Sequence, residues 1–286
     1  MGSHRLTLQL LARTVLCSGP LVVAVMLGAC GPATPRPTSA LGVAAMDTVI
    51  PAGPLGASVR RGRALMLATR DSLPTHVGNN LRCVSCHLDE GRRPQGTWVG
   101  VYAHYPQYRS RSASVQTIEA RVNDCFERSL NGTALPSDGR DMTDIVTYLW
   151  WLSRGTVVGP PAAKGVDRFA GSSPDTLRGR ALFVQACTVC HGDGGQGTAV
   201  ATPLWGDGSF SNGAGMARPR TAAAFIQANM PFNAPGTLSD QQALDVATYI
   251  SEQRRPDLPQ KLDDWPLGDA PVDLPYQTRA GQRVPK

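Results

Sequence analysis

The sequence predicts an all-α chain in which one helical unit occurs twice in tandem. Three paired blocks carry that prediction. Arg61-Gly62-Arg63-Ala64-Leu65 returns as Arg178-Gly179-Arg180-Ala181-Leu182, Cys83-Val84-Ser85-Cys86-His87 as Cys187-Thr188-Val189-Cys190-His191, and Asp144-Ile145-Val146-Thr147-Tyr148-Leu149 as Asp245-Val246-Ala247-Thr248-Tyr249-Ile250. Blocks repeated in the same order mark an internal duplication, and 286 residues leave room for two domains. A hydrophobic content of 42% is too high for a disordered chain. The net charge of +6 comes from 25 Arg against 3 Lys, with aromatics at only 6%. Nucleic acid is therefore a weak first guess, and something smaller and anionic fits as well.

Residues 1–29 hold Arg5 and Arg13, no acid, and an apolar stretch from Val15 to Leu27 broken by Gly19-Pro20, which is the pattern of a secretory signal. No run of about 18 apolar residues marks a membrane-spanning helix. Leu27-Gly28-Ala29-Cys30 resembles a bacterial lipobox, in which the cysteine becomes the acylated first residue; an ordinary signal cleaved after Ala29 or Ala40 is the alternative. Either form is exported to an oxidising compartment. The lipobox form places the protein on the periplasmic side of a bacterial membrane, held only by a lipid anchor at Cys30. Without the signal, 26 basic residues face 22 acidic ones, a net charge of +4. Residues 30–55, rich in Pro, Ala, Gly and Thr, read as a flexible tether. The first unit covers 56–158, and Gly155–Ser173, with Gly159-Pro160-Pro161, reads as a linker. The second unit covers 172–256, with a capping box at Ser239 and Gln242 opening its last helix. Residues 257–286, rich in proline, are expected to pack as an extended tail.

The middle block of each unit matches C-x-x-C-H, the c-type haem attachment sequence. Two thiols add across the haem vinyl groups and the adjacent histidine becomes the proximal iron ligand, so the porphyrin sets the spacing. Cys83, Cys86 and His87 thus hold one covalently attached haem c, and Cys187, Cys190 and His191 a second. A redox dithiol would need alternating strands and helices, and a zinc site a fourth ligand in each copy; the sequence shows neither. Each unit reads helix, haem motif, long loop, helix. The glycine in the first helix and the tyrosine in the last resemble the close helix crossing of class I cytochrome c domains, giving two such haem domains in tandem.

The far side of each iron needs its own ligand. In the second unit the candidates are Met216 and Met230, with Lys164 before the domain and Lys261 beyond it. Met230 lies 39 residues after His191, just before the closing helix, where class I cytochromes carry their distal methionine. Thioether ligation raises the reduction potential and suits an electron relay; a core methionine is the alternative. In the first unit, 38 residues past His87 stands Cys125. His104 and Met142 are other candidates, and a buried inert thiol is the bland alternative. Cys17 leaves with the signal, Cys30 takes lipid and four cysteines take haem, so Cys125 has no disulfide partner in an oxidising compartment. That points to thiolate ligation or reactivity.

Around Cys125 the pattern Val115, Ile118, Val122, Phe126, Leu130 predicts one helix over Ser114–Leu130, stopped by Asn131-Gly132. Cys125 falls at the edge of the apolar stripe, with Arg121, Arg128 and Ser129 at helical spacing; Arg109 and Arg111 precede the helix. Arginines on a helix are ordinarily solvated. Several converging on a lone thiol beside a haem suggest an anionic sulfur substrate.

Trp98-Val99-Gly100-Val101, Pro106-Gln107-Tyr108-Arg109-Ser110-Arg111 and Cys125-Phe126-Glu127-Arg128-Ser129-Leu130-Asn131-Gly132, followed by Leu135-Pro136, resemble the thiosulfate dehydrogenase family of dihaem cytochromes c over about 56–256. The resemblance implies an active-site haem ligated by His87 and Cys125, substrate contacts from Arg111, Arg121 and Ser129, and a second haem on His191 and Met230. Some members carry a competing lysine just before that methionine; Asn229 stands there in this chain, which implies plain His/Met ligation. The implied reaction couples two thiosulfates to tetrathionate, or the reverse, with electrons passing through the second haem to an acceptor cytochrome. In the implied mechanism the Cys125 sulfur leaves or loosens from iron and forms an S-thiosulfonate with the first substrate. Two competing readings differ in class: a dihaem electron-transfer cytochrome without a substrate, and a Sox-type cytochrome subunit that conjugates thiosulfate to a carrier protein.

Overall fold

The computed structural model describes residues 49–158 and 165–282. The signal segment, Cys17, Cys30, most of the tether and Lys164 lie outside the described residues. The first unit holds α1 (Gly53–Leu67), α2 (Thr69–Ser72), α3 (Leu88–Gly91), α4 (Ile118–Arg128) and α5 (Arg140–Leu152). The second holds α6 (Thr176–Ala186), α7 (Thr188–His191), α8 (Pro219–Asn229) and α9 (Asp240–Ser251). Among the described residues the only sheet is an antiparallel hairpin of β1 (Gln107–Arg109) and β2 (Ser114–Gln116).

The repeated residues are those that let the first and last helix of each unit cross. A Cβ added at Gly62 would lie 1.9 Å from the Asp144 carbonyl oxygen, and one at Gly179 would lie 2.1 Å from that of Asp245. Backbone meets backbone there, and only glycine leaves the room. The arginine before each glycine closes the same crossing: Arg61 pairs with Asp144, and Arg178 Nε donates to Asp245 Oδ2 at 2.8 Å. Both aspartates are buried, where an unpaired carboxylate would be costly. At Asp245 burial pushes the pKa up, but Arg178, the Asp175 N–H and Gln241 outweigh it and hold the carboxyl below its usual range.

Val59, Phe126, Met142, Ile145, Tyr148 and Leu152 fill the first core. Met142 is therefore a packing residue. Phe169 packs with Ala222–Ala224, Ala243, Leu244 and Ala247 in the second unit, while Phe183, Val246 and Ile250 form a separate cluster. Met216 packs against both the first core and the Phe169 cluster, so it too is a filler at the junction. A strap from the second unit reaches into the first: Phe210, Ala214 and Ala217 are buried in the first core. Ser209 O accepts from Asn79 Nδ2 (3.1 Å) and Asn131 Nδ2 (2.7 Å), and Ser211 Oγ donates to Arg128 O (2.7 Å).

Three expected boundaries move. Ser114–Gln116 is a strand, with Val115 opposite Tyr108, and the helix begins only where Thr117 Oγ1 accepts the Ala120 N–H. Val115 is consequently exposed on the hairpin, while Ile118, Phe126 and Leu130 are buried as the stripe requires. The expected linker ends in a 3₁₀ turn, Val166–Phe169, that sinks Phe169 into the second unit. The tail packs as expected, burying Leu258, Asp264, Trp265 and Thr278, but it is not extended throughout, turning through a 3₁₀ helix at Lys261–Asp263. The capping box is as expected, with Ser239 Oγ accepting from Gln242 N and Gln242 Oε1 from Ser239 N.

Candidate active site

Helix α4 presents Cys125 and Arg121 one turn apart on the same side, and Arg121 Nη1 donates to Cys125 Sγ at 3.0 Å. His87 stands close enough to the same sulfur to act on its charge. These neighbours separate Cys125 from the other thiols of its domain. Burial pushes Cys83 and Cys86 up to about 12. Burial pushes Cys125 up as well, but the Arg121 charge and His87 outweigh it and bring the thiol down to about 7. In return the negative sulfur holds the Arg121 guanidinium above its usual range, against desolvation.

His87 Nδ1 bonds the Gly96 carbonyl. A carbonyl only accepts, so Nδ1 is the donor in that bond and Nε2 is the nitrogen left for a further partner. Trp98 stacks on the ring at 4.9 Å, and it sits against Gly91, where a Cβ would lie 2.1 Å from the indole. His191 repeats the arrangement: Nδ1 donates to Thr202 O at 2.9 Å, and burial keeps the ring neutral-leaning with a lowered pKa. Met230 stands half-buried at the C-cap of α8, its N–H on Ile226 O at 2.8 Å. Asn229 beside it is fully buried, donating to Pro94 O of the first unit and to Phe225 O, each at 3.2 Å.

Both donor sets fit a haem c: an imidazole anchored through Nδ1 and two thiols beside it, joined in the first unit by an acidified thiol facing the imidazole. Among the described residues no three His, Cys, Asp or Glu side chains converge as a metal-ion ligand set. All five cysteines among the described residues are free thiols.

The arginines divide. Arg121 meets the sulfur. Arg128 turns away into a two-pronged ion pair with Asp264, 2.8 Å on each side, with Asp124 at 3.4 Å. Arg111 Nη1 donates to Gly213 O at 2.6 Å, and its guanidinium lies over the Trp265 ring, 4.5 Å from the centre. Burial, reinforced by Arg128, pushes Arg111 down to about 10. Ser129 caps α4, its N–H on Cys125 O at 2.9 Å and its carbonyl accepting from Asn79 Nδ2 at 2.8 Å. His104 ends a 3₁₀ turn, Val101–His104, and Arg109 sits on β1. Gly96, Trp98, Asn79, Asp264, Trp265 and Arg218 were not foreseen as site residues. Glycines flanking Trp98 shortly after the motif were a usable signal, whereas Asp264 and Trp265 meet the site only through long-range folding.

Residues 75–158 match the family model described as "SoxA/TsdA, cytochrome c domain". Residues 174–250 match the one described as "Cytochrome C oxidase, cbb3-type, subunit III". The chain is 44% identical over 239 residues to a thiosulfate dehydrogenase of Psychrobacter arcticus, covering 80% of this chain and 72% of the relative. It is 41% identical over 269 residues to a thiosulfate dehydrogenase of Allochromatium vinosum, covering 88% and 97%. Among solved structures, the thiosulfate dehydrogenase (TsdBA) of Marichromatium purpuratum superposes with a TM-score of 0.67 at 35% identity over 74% of this chain. The chain spans about half of that structure, 49%.

Proposed function

Because the chain belongs to the thiosulfate dehydrogenase family, oxidoreductases acting on sulfur compounds, and consists of two cytochrome c domains that imply haem c, we propose that it couples two thiosulfates to tetrathionate at Cys125. The single observation that supports this most is the Cys125 sulfur held between Arg121 and His87. Cys83, Cys86 and His87 would hold one haem c and Cys187, Cys190 and His191 the other, with Cys125 and Met230 as the second ligands. When bound, each haem supplies one-electron acceptance, so two of them receive the electron pair that the coupling releases.

The chain's own residues handle charge and bond-making. Two dianions brought to about 4 Å repel by on the order of 16 kcal/mol at an effective dielectric near 20. Planar, permanently charged guanidinium groups that fork onto oxyanions counter this, and Arg111 and Arg121, with Ser129, are the residues the family resemblance assigns to it. The acidified Cys125 sulfur joins the outer sulfur of the first thiosulfate, and that bond's formation gives up two electrons to the carriers. The second thiosulfate attacks the same outer sulfur. The bond to Cys125 breaks, its electron pair returns to the thiolate, and tetrathionate leaves. Splitting the coupling in two keeps the anions from having to collide unshielded. Electrons then pass from the second domain to an acceptor cytochrome, and the lipid anchor at Cys30, inferred from residues 27–30, keeps the enzyme at the periplasmic face of the membrane.

The test is thiosulfate-dependent reduction of an acceptor by the haem-loaded protein, with product analysed. One tetrathionate per two electrons is expected. Ready electron exchange with no turnover in either direction would leave the substrate-free relay.

A further inference from the structure

Two arginines of the Cys125 region, Arg111 before α4 and Arg128 within it, take their partners from outside the first domain. Arg128, three residues past Cys125, gives both prongs of its guanidinium to Asp264 at 2.8 Å. Asp264 is buried and also accepts from Tyr276 Oη. An arginine paired in this way has its charge compensated and its donors spent. Arg111 is in the opposite position. Among the described residues no carboxylate lies within ion-pair distance of it. Its partners are the Gly213 carbonyl at 2.6 Å and the face of Trp265 at 4.5 Å, and its own carbonyl accepts the Trp265 N–H at 2.8 Å.

A half-buried cation whose direct partners are all neutral, with Asp264 acting on it only from beyond ion-pair distance, is costly unless an anion arrives. Arg218, in the second domain, adds to the imbalance: its Nε is buried without a partner, and with Arg128 it depresses the Arg111 pKa further. Gly213 belongs to the strap of the second domain, and Asp264, Trp265 and Tyr276 to the C-terminal segment. Resting on the thiosulfate reading above, we propose that Asp264 and Trp265 are positioning residues of the oxyanion site: Asp264 retires Arg128 as a strut, and Trp265 aims Arg111, whose guanidinium, in direct contact with no carboxylate, receives a substrate sulfonate.

The test uses the full-length, haem-loaded protein, with steady-state thiosulfate oxidation and calorimetric binding of tetrathionate. Trp265→Leu is expected to raise the thiosulfate KM about tenfold and weaken tetrathionate binding alike. Its kcat should stay within about twofold with an unchanged visible spectrum, and Trp265→Phe should restore most of the affinity. Asp264→Asn releases Arg128 and is expected to tighten tetrathionate binding about tenfold at low salt, a gain that about 0.5 M salt erases and that Asp264→Glu lacks. Affinities within about twofold of wild type in Trp265→Leu and Asp264→Asn would overturn the proposal. So would equal losses of kcat, KM and melting temperature in Trp265→Phe and Trp265→Leu. If Trp265→Leu fails to take up haem, the salt-dependent tightening in Asp264→Asn decides. Wild-type protein that binds tetrathionate without turnover sinks the proposed function but not this inference; normal turnover with unmoved affinities sinks this inference alone.

Discussion

Cys125 and Glu90 show how single side chains acquire their properties here from arginines. The thiol is brought down to about 7 because Arg121 and His87 outweigh its desolvation, while desolvation raises the half-buried Cys83 and Cys86 of the same domain to about 12. Glu90 is held down to about 2 chiefly by Arg63, with Arg92 adding to it against desolvation. A carboxylate whose folded pKa lies below its ordinary 4.5 stabilises the fold fully above that value and loses the contribution as pH falls towards about 2. Glu90→Gln should therefore lower stability at neutral pH and flatten acid unfolding between those two values, as followed by circular dichroism. Cys125 was legible in the sequence because a spacing count and a cysteine count agreed on it. The pairing of Arg128 with Asp264 was not, since 136 residues separate them and nothing local to either residue announces the other.

At the scale of elements, the helix crossings were the most readable part of the fold. A repeated Arg-Gly and a repeated Asp turned out to be the two sides of one contact in each unit. Alanine at Gly62 or Gly179 pushes a methyl into a backbone oxygen that no side-chain rotation can move. Each change should cost about 1–3 kcal/mol, read as a lower urea midpoint with the m-value unchanged. The start of α4 was misplaced because Val115 fits a helical stripe as well as a strand. Cross-strand pairing with Tyr108 and the cap from Thr117 decide the matter, and neither shows in hydrophobic period alone.

On the scale of the whole molecule, the two domains are joined through the strap that carries Phe210, Ser211, Gly213, Ala214 and Ala217 into the first core. Phe210→Ala removes a buried ring at this junction and should cost about 3 kcal/mol. It should also raise the thiosulfate KM, because Gly213 loses its hold on Arg111; calorimetric melting and steady-state kinetics on one preparation check both. Two helical haem-type units could be read from repeated blocks, but their docking could not. Gly-rich and Pro-rich stretches look like loops in sequence, and here one of them is the strap and another the C-terminal clamp.

The most direct measurement is tetrathionate formation from thiosulfate by the haem-loaded Cys125→Ala protein beside wild type, with a chemical acceptor in excess. If Cys125 forms and releases the sulfur–sulfur bond, turnover falls by more than about a hundredfold while the protein still exchanges electrons with the acceptor. Full tetrathionate production by Cys125→Ala would contradict the account at its centre.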